Sequence, residues 1–391
     1  MVETLHVPTA WTVSDLRRRR TKRWSVYASD VADMTVAEMD FPVAEPVLRA
    51  VRDAVERQCF GYPLPEASSP LPQVASAWFA SQGLDVPATR VRQISDVIKP
   101  MILAIRHLSP PGTPVAVITP TYASFLGAVA AAGRERIEVA MTRGPLGYEL
   151  DLDGIESALR AGARTVLLCN PSNPTGAVYP RAALVALSEL AERHGARVVS
   201  DEVHGPIRYA GAHVPYATVS PAAAAHAITL TSVSKAWNVP GLRCALVAFT
   251  NDEDAARWDA LPGPAKGGIS PLGIEASVAA LTEGRAWLDH VLGVLADNRR
   301  LVGEVLAAHG IEHIVLPPAA TYLAWLDLRE FAVGDDPAGF LRERAKVATT
   351  PGESHGAAGR GFVRLNFAGP APILADALDR VAAALTGRTA R

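Results

Sequence analysis

Five short apolar runs, separated by longer helix-like stretches, constrain this chain more than any other feature. They are "PVAVIT" (114–119), "RTVLLC" (164–169), "ARVVS" (196–200), "AITLT" (227–231) and "RCALVAF" (243–249). Each is short, partly β-branched and uninterrupted by charge, the pattern of a strand buried on both faces. Between the second and third lies "RAALVALSELAERHG" (181–195), whose leucines and alanines recur at helical spacing and whose Gly195 supplies a stop. Strand, helix, strand in that order predicts a mostly parallel sheet with helices on both faces. The fold class is therefore α/β, and ligands are expected beyond the C-terminal ends of the strands.

The polar motifs stand where that rule asks. "PTYASF", "NPSNPTG", "DEVHG" and "SVSKAWN" each follow one of the runs. Four separate segments thus converge on one rim. After about residue 280 the texture changes. "GRAWLDHVLGVLADNRRLVGEVLAAHG" (284–310) reads as one long amphipathic helix, "TYLAWLDL" (321–328) as a strand, "PAGFLRERAK" (337–346) as a helix and "GFVRLNFA" (361–368) as a strand. The 391 residues suit two domains. The expected division is a large domain over 46–280 and a smaller α+β domain made of 1–45 and 281–391. "SPAAAAHA" (220–227) reads as a helix turn or loop.

The formal net charge of −2 gives no reason to expect nucleic acid or an anionic membrane as partner. The basic run "RRRRTKR" (17–23) reads as a solvated surface rather than a nucleic-acid arm. Cys59, Cys169 and Cys244 are far apart and form no CxxC. No zinc spacing is present, no metal is expected, and a reducing, cytoplasmic compartment fits. Neither a secretory h-region nor a membrane-spanning apolar run is found.

On the rim, one lysine, one carboxylate and several potential phosphate donors point to pyridoxal 5'-phosphate. A lysine amine forms a Schiff base with its aldehyde. A carboxylate keeps the ring nitrogen protonated, and hydroxyls, backbone N–H groups and an arginine hold the phosphate. The ordered set Tyr122, Asn173, Asp201, Lys235, Arg243, Arg364 resembles the fold-type I pyridoxal-phosphate enzymes of the aminotransferase class I/II superfamily. The nearer resemblance is to cystathionine β-lyase-like (MalY/PatB-type) C–S lyases. It covers nearly the whole chain through "MTVAEMDFP" (34–42), "FGYPLP" (60–65), "TPTYASF", "NPSNPTG", "SDEVH", "SVSKAWNVPGLRC", "ISPLGIEAS", "EGRAWLD", "TYLAWLDL" and "FVRLNFA".

The resemblance implies roles. Lys235 would carry the cofactor and move the Cα proton. Asp201 would face the ring nitrogen, and Tyr122 would stack on the ring. Asn173 would bond the phenolic oxygen, with His204 reaching the same edge or simply packing there. Ser232, Ser234, Arg243 and the N–H groups of Val97 and Ile98 would hold the phosphate. Arg364 would grip the substrate α-carboxylate beside Asn173. Tyr62 would reach the cofactor phosphate and substrate site of a partner subunit, and "GGISPLG" (267–273) would also cross between subunits, which implies a homodimer with shared active sites. The implied reaction is C–S β-elimination from a cysteine-derived thioether, giving thiol, pyruvate and ammonia. Transamination of an amino acid uses the same residues, and a non-catalytic regulator would keep the fold without needing Lys235. Two departures stand out. Asp96 replaces the glycine of the family's phosphate loop, so either it points away or Lys99 offsets it. His355 stands where an aromatic is usual, near the expected substrate mouth.

Overall fold

A seven-stranded sheet carries the polar motifs. The computed structural model describes residues 11–144 and 147–387. The strands are β1 (Val91–Ile94), β2 (Val115–Thr119), β3 (Arg136–Ala140), β4 (Thr165–Cys169), β5 (Arg197–Asp201), β6 (Ala227–Thr231) and β7 (Ala245–Phe249). Their order is β1-β7-β6-β5-β4-β2-β3. Only β7 runs against its neighbours β1 and β6. All five predicted runs are strands. The two that the sequence reading missed, β1 ("VRQI") and β3 ("RIEVA"), are the sheet edges. Charges suit an edge, and they hid the strand pattern: Arg92 of β1 pairs with Asp259 on both carboxylate oxygens, each at 2.7 Å.

Central strands feed two cores at once. In β2, Ala116 and Ile118 join one apolar cluster while Val115 and Val117 join the other. In β4, Val166 and Leu168 face one way and Leu167 and Cys169 the other. Successive side chains point to opposite faces, so a strand covered on both sides must be apolar at every position. Helices α1 (Ile98–His107), α2 (Ala123–Ala131) and α3 (Arg181–Arg193) supply the cover. Residues 221–226 form a short helix, with Ser220 capping it through Ala223 N at 2.9 Å.

The predicted long helix is α5 (Arg285–Ala308), and it directly follows α4 (Pro271–Glu283). Gly284 is the joint. A Cβ there would lie 2.4 Å from Trp237 Nε1, which instead donates to Gly284 O at 2.9 Å. That contact anchors the segment after Lys235. The later strands β8 (Leu323–Asp327), β9 (Thr350–Pro351) and β10 (Phe362–Asn366) form a separate antiparallel sheet in the order β8-β10-β9. Arg364 sits opposite Trp325 on one side and Thr350 on the other.

The basic run does not behave as a solvated surface throughout. Arg19 donates to Met39 O and Phe41 O. Arg23 is 1% exposed and pairs at 2.8 Å with Asp40, itself 2% exposed, while Trp24 Nε1 donates to the other Asp40 oxygen at 2.9 Å. With Arg23 also donating to Val36 O at 3.2 Å, these arginines clamp the 36–41 segment. The reason is chemical: each finds a carbonyl or carboxylate that a solvent-facing charge would lack. Removing one partner of a buried pair strands the other charge. Arg23→Met is expected to destabilise the fold by about 3–5 kcal/mol in urea unfolding, with Asp40→Asn in the same chain restoring part of the loss because it removes the stranded charge and keeps an acceptor for Trp24 Nε1. A single variant as stable as the parent would show that the pair is energetically idle.

Candidate active site

The strand ends open into a cavity of about 460 Å³. Its lining includes Lys235, Asp201, Asn173, His204, Tyr122, Ser232, Ser234, Arg243, Val97, Ile98 and Arg364. Ten of these come from the rim of the seven-stranded sheet and Arg364 comes from β10, so the cavity lies between the two sheets. Tyr62 is the one predicted site residue outside it; its side chain is fully exposed.

Lys235 follows β6. Its Nζ donates to Ala37 O at 2.9 Å, so the clamped N-terminal segment holds the amine in place. Burial, and then the charge of Arg364, push the ammonium down to about 8. Asp201 ends β5. It is buried, and its Oδ1 accepts from Val203 N at 3.0 Å. Burial pushes its carboxyl up to about 7, Glu202 adds to the rise, and Val203 N and Lys235 oppose it. A carboxylate so short of partners is suited to a ligand N–H⁺, which would favour its ionised form. His204 is held down to about 3 by burial, with Lys235 and Arg364 adding to the effect. It is a neutral imidazole whose Nδ1 is buried without a partner.

Arg364 is 5% exposed. Nη1 donates to Asn173 Oδ1 at 3.0 Å, and Nη2 donates to Thr35 O at 2.8 Å and Thr350 Oγ at 3.2 Å. Its Nε is buried with no partner. A guanidinium has five N–H donors, so a buried anion-binding capacity remains. Tyr122 directly precedes α2, is 36% exposed and lines the cavity.

The opposite end differs from expectation. Arg243 is present, in the left-handed backbone region at φ 50°, and pairs with Asp96 at 2.7 Å. Asp96 therefore does not point away. Nor does Lys99 offset it, since Lys99 Nζ donates to Gly267 O. The Ile98 N–H, expected to be free for a phosphate, donates to Asp96 Oδ1 at 3.0 Å. The Ser232 hydroxyl donates to Cys244 O at 2.6 Å and accepts from Ser234 N at 3.0 Å. Ser232 thus shapes the loop, a role its position in "SVSK" could not reveal.

His355 is also relocated. It is 1% exposed, packs edge-on against Trp325 with ring centroids 5.3 Å apart, and is absent from the cavity lining. Burial holds it to about 3, so it is a neutral core residue. Sequence reading missed Lys22, Tyr27, Thr35, Ala37, Cys169, Thr349 and Thr350, all of which line the cavity. Cys169 ends β4, and Thr35 and Ala37 lie in "MTVAEMDFP"; Lys22, Tyr27, Thr349 and Thr350 arrive through long-range folding of the N-terminal segment and the β9 region, and no local motif marks those four.

The donor set fits a ring-bearing aldehyde with an anionic tail: amine, ring-nitrogen carboxylate, aromatic side chain, and a cationic end at Arg243. Residues 29–381 match the family Aminotransferase class I and II. The chain belongs to that family. It is similar to a cystathionine β-lyase from Corynebacterium glutamicum, at 36% identity over 95% of this chain and 99% of the relative. Among solved structures it superposes on a Corynebacterium diphtheriae protein provisionally described as a PLP-dependent β-cystathionase. The TM-score is 0.90 at 38% identity, covering 97% of this chain and 99% of the other. A PLP-bound C–S lyase from Staphylococcus hominis, complexed with L-cycloserine, gives a TM-score of 0.88 at 25% identity over 95% and 97% of the two chains. The resemblance to cystathionine β-lyase-like enzymes therefore holds over the full architecture. The fold is that of the fold-type I pyridoxal-phosphate enzymes, and the cofactor expected for the family is pyridoxal 5'-phosphate.

Proposed function

We propose that this chain is a pyridoxal-phosphate-dependent carbon–sulfur β-lyase whose substrate is a cysteine-derived thioether of the cystathionine kind. One observation carries the reading. The amine of Lys235, held at Ala37 O, lines one cavity with the Asp201 carboxylate and the Arg364 guanidinium, on a scaffold matched over 95% of its length by a cystathionine β-lyase. When bound, the cofactor supplies an electron-withdrawing ring that takes up the pair left at the substrate Cα. Arg364 binds the α-carboxylate and fixes which Cα bond is presented. Lys235 Nζ, free as an amine above about pH 8, removes the Cα proton. Asp201 would face the ring nitrogen and favour its protonated form. Asn173 positions Arg364 through their 3.0 Å bond. The Cβ–S bond breaks, the sulfur leaves as thiol, and hydrolysis of the remaining three-carbon fragment gives pyruvate and ammonia.

The deciding experiment incubates the holoenzyme with L-cystathionine and measures thiol, pyruvate and ammonia. Equal yields of all three support the lyase. A 2-oxo acid of the intact thioether, with the amino group passed to an added acceptor and no thiol, would establish the aminotransferase instead.

Three further points belong to the same proposal. The division into 46–280 and 1–45 plus 281–391 is supported by the joint at Gly284 and the separate three-stranded sheet. A homodimer is supported by the exposed row Phe60, Tyr62 and Leu64, an apolar strip that a second copy would cover; sedimentation showing an active monomer would remove it. A cytoplasmic location is supported by the unpaired Cys59, Cys169 and Cys244, and fractionation of the source cells tests it. No helix among the described residues is long and apolar enough to cross a membrane.

A further inference from the structure

Asp96 stands at the start of α1 and lines the cavity beside Ser95, Val97, Ser234 and Arg243. Its carboxylate collects four hydrogen bonds. Oδ1 accepts from Ile98 N at 3.0 Å and Lys99 N at 2.9 Å. Oδ2 accepts from Arg243 Nη2 at 2.7 Å and Ser95 Oγ at 3.0 Å. Two backbone N–H groups at a helix start, a guanidinium and a hydroxyl are the donors that a phosphate needs. We propose that Asp96 competes with the cofactor's phosphate for these donors, so that the enzyme holds its cofactor loosely and its occupancy follows the free cofactor concentration.

The competition is one of charge. The Arg243 side chain is 61% exposed, so its pair with Asp96 is weak and readily exchanged. Exchanging it does not remove the carboxylate, which still occupies the N–H groups of α1 and would repel a phosphate dianion brought to the same donors. Lys99, the cation nearest in sequence, is committed to Gly267 O. Loose binding makes the loaded fraction depend on ligand concentration by mass action. The inference rests on the reading that this end of the cavity takes the phosphate. It does not depend on whether the chemistry is elimination or transamination.

The test titrates apoenzyme with pyridoxal 5'-phosphate and, separately, with pyridoxal, following visible absorbance. Asp96→Asn keeps a good helix cap while removing the charge; Asp96→Ser does the same with a shorter side chain. Both variants are expected to bind the phosphate form about tenfold more tightly, equivalent to about 1.4 kcal/mol. Affinity for pyridoxal, which has no phosphate, should stay unchanged. The difference should shrink at high ionic strength. Equal or weaker phosphate-form binding in both variants would overturn the proposal and leave Asp96 as the cap that fixes Arg243. Parallel changes for both ligands would overturn it too, because the effect would then not lie at the phosphate. A finding that the enzyme transaminates would leave these outcomes intact.

Discussion

Lys235→Ala leaves the protein without a covalent hold on its cofactor and lowers kcat for thioether cleavage by about 10²–10⁴-fold from the loss of proton transfer alone. The structure explains why no other amine substitutes. The chain has five lysines, and among those lining the cavity only Lys22 joins Lys235. Lys22 is exposed, whereas Lys235 is half-buried and its amine is held at Ala37 O. Burial disfavours the ammonium, and Arg364 adds like-charge repulsion, so the amine is free above about pH 8 rather than near 10.5. Attack on an aldehyde needs the free amine. The rate of cofactor loading onto apoenzyme should therefore climb with pH up to about 8 and then level off. A climb continuing toward 10 would contradict the buried-amine assignment. Borohydride fixation followed by peptide mapping checks the residue directly, and a label on Lys22 would remove Lys235 from its role.

The sequence exposed most of this site because the sheet concentrates it. A strand buried on both faces must be apolar throughout, so β2, β4, β5, β6 and β7 were legible, and so were the motifs at their ends. Edge strands were not. Arg92 in β1 has Asp259 as partner and Arg136 in β3 has Glu138; a reader seeing charge cannot see the partner. The same limit hid the clamp by Arg19 and Arg23, since each finds its acceptor roughly twenty positions away through a fold that no local pattern announces. Motif position also says where a residue lies and not which atoms it bonds. Ser232 and Ile98 were in the right place, yet their donors serve Cys244 O and Asp96. His355 shows the opposite case. Its place in the sequence suggested the substrate mouth, and its packing against Trp325 removes it from the cavity.

Arg364→Ala should lower kcat/KM for amino-acid substrates by roughly one and a half to three and a half orders of magnitude. Losing a buried charge-assisted pair typically costs about 2–5 kcal/mol by analogy with interface charge pairs, and about 1.4 kcal/mol is tenfold. An arginine is costly inside a strand unless it has polar partners. Arg364 has three, Asn173, Thr35 O and Thr350, and still leaves Nε buried with none. None of the three is a carboxylate. Burial accordingly pushes the guanidinium down to about 10, and a buried cation without an anion is a site prepared for one. A substrate α-carboxylate supplies that charge and is planar, as the guanidinium is. Arg364→Lys should recover little, because an ammonium lacks the fork. Cofactor absorbance should survive in both variants, since Lys235 and Asp201 are untouched. The alanine variant should also load cofactor with its pH midpoint shifted upward, because the second cause holding Lys235 down is the charge of Arg364. Unchanged kcat/KM together with an unchanged loading midpoint would make Arg364 a structural brace between β10 and the N-terminal segment, with the carboxylate held elsewhere.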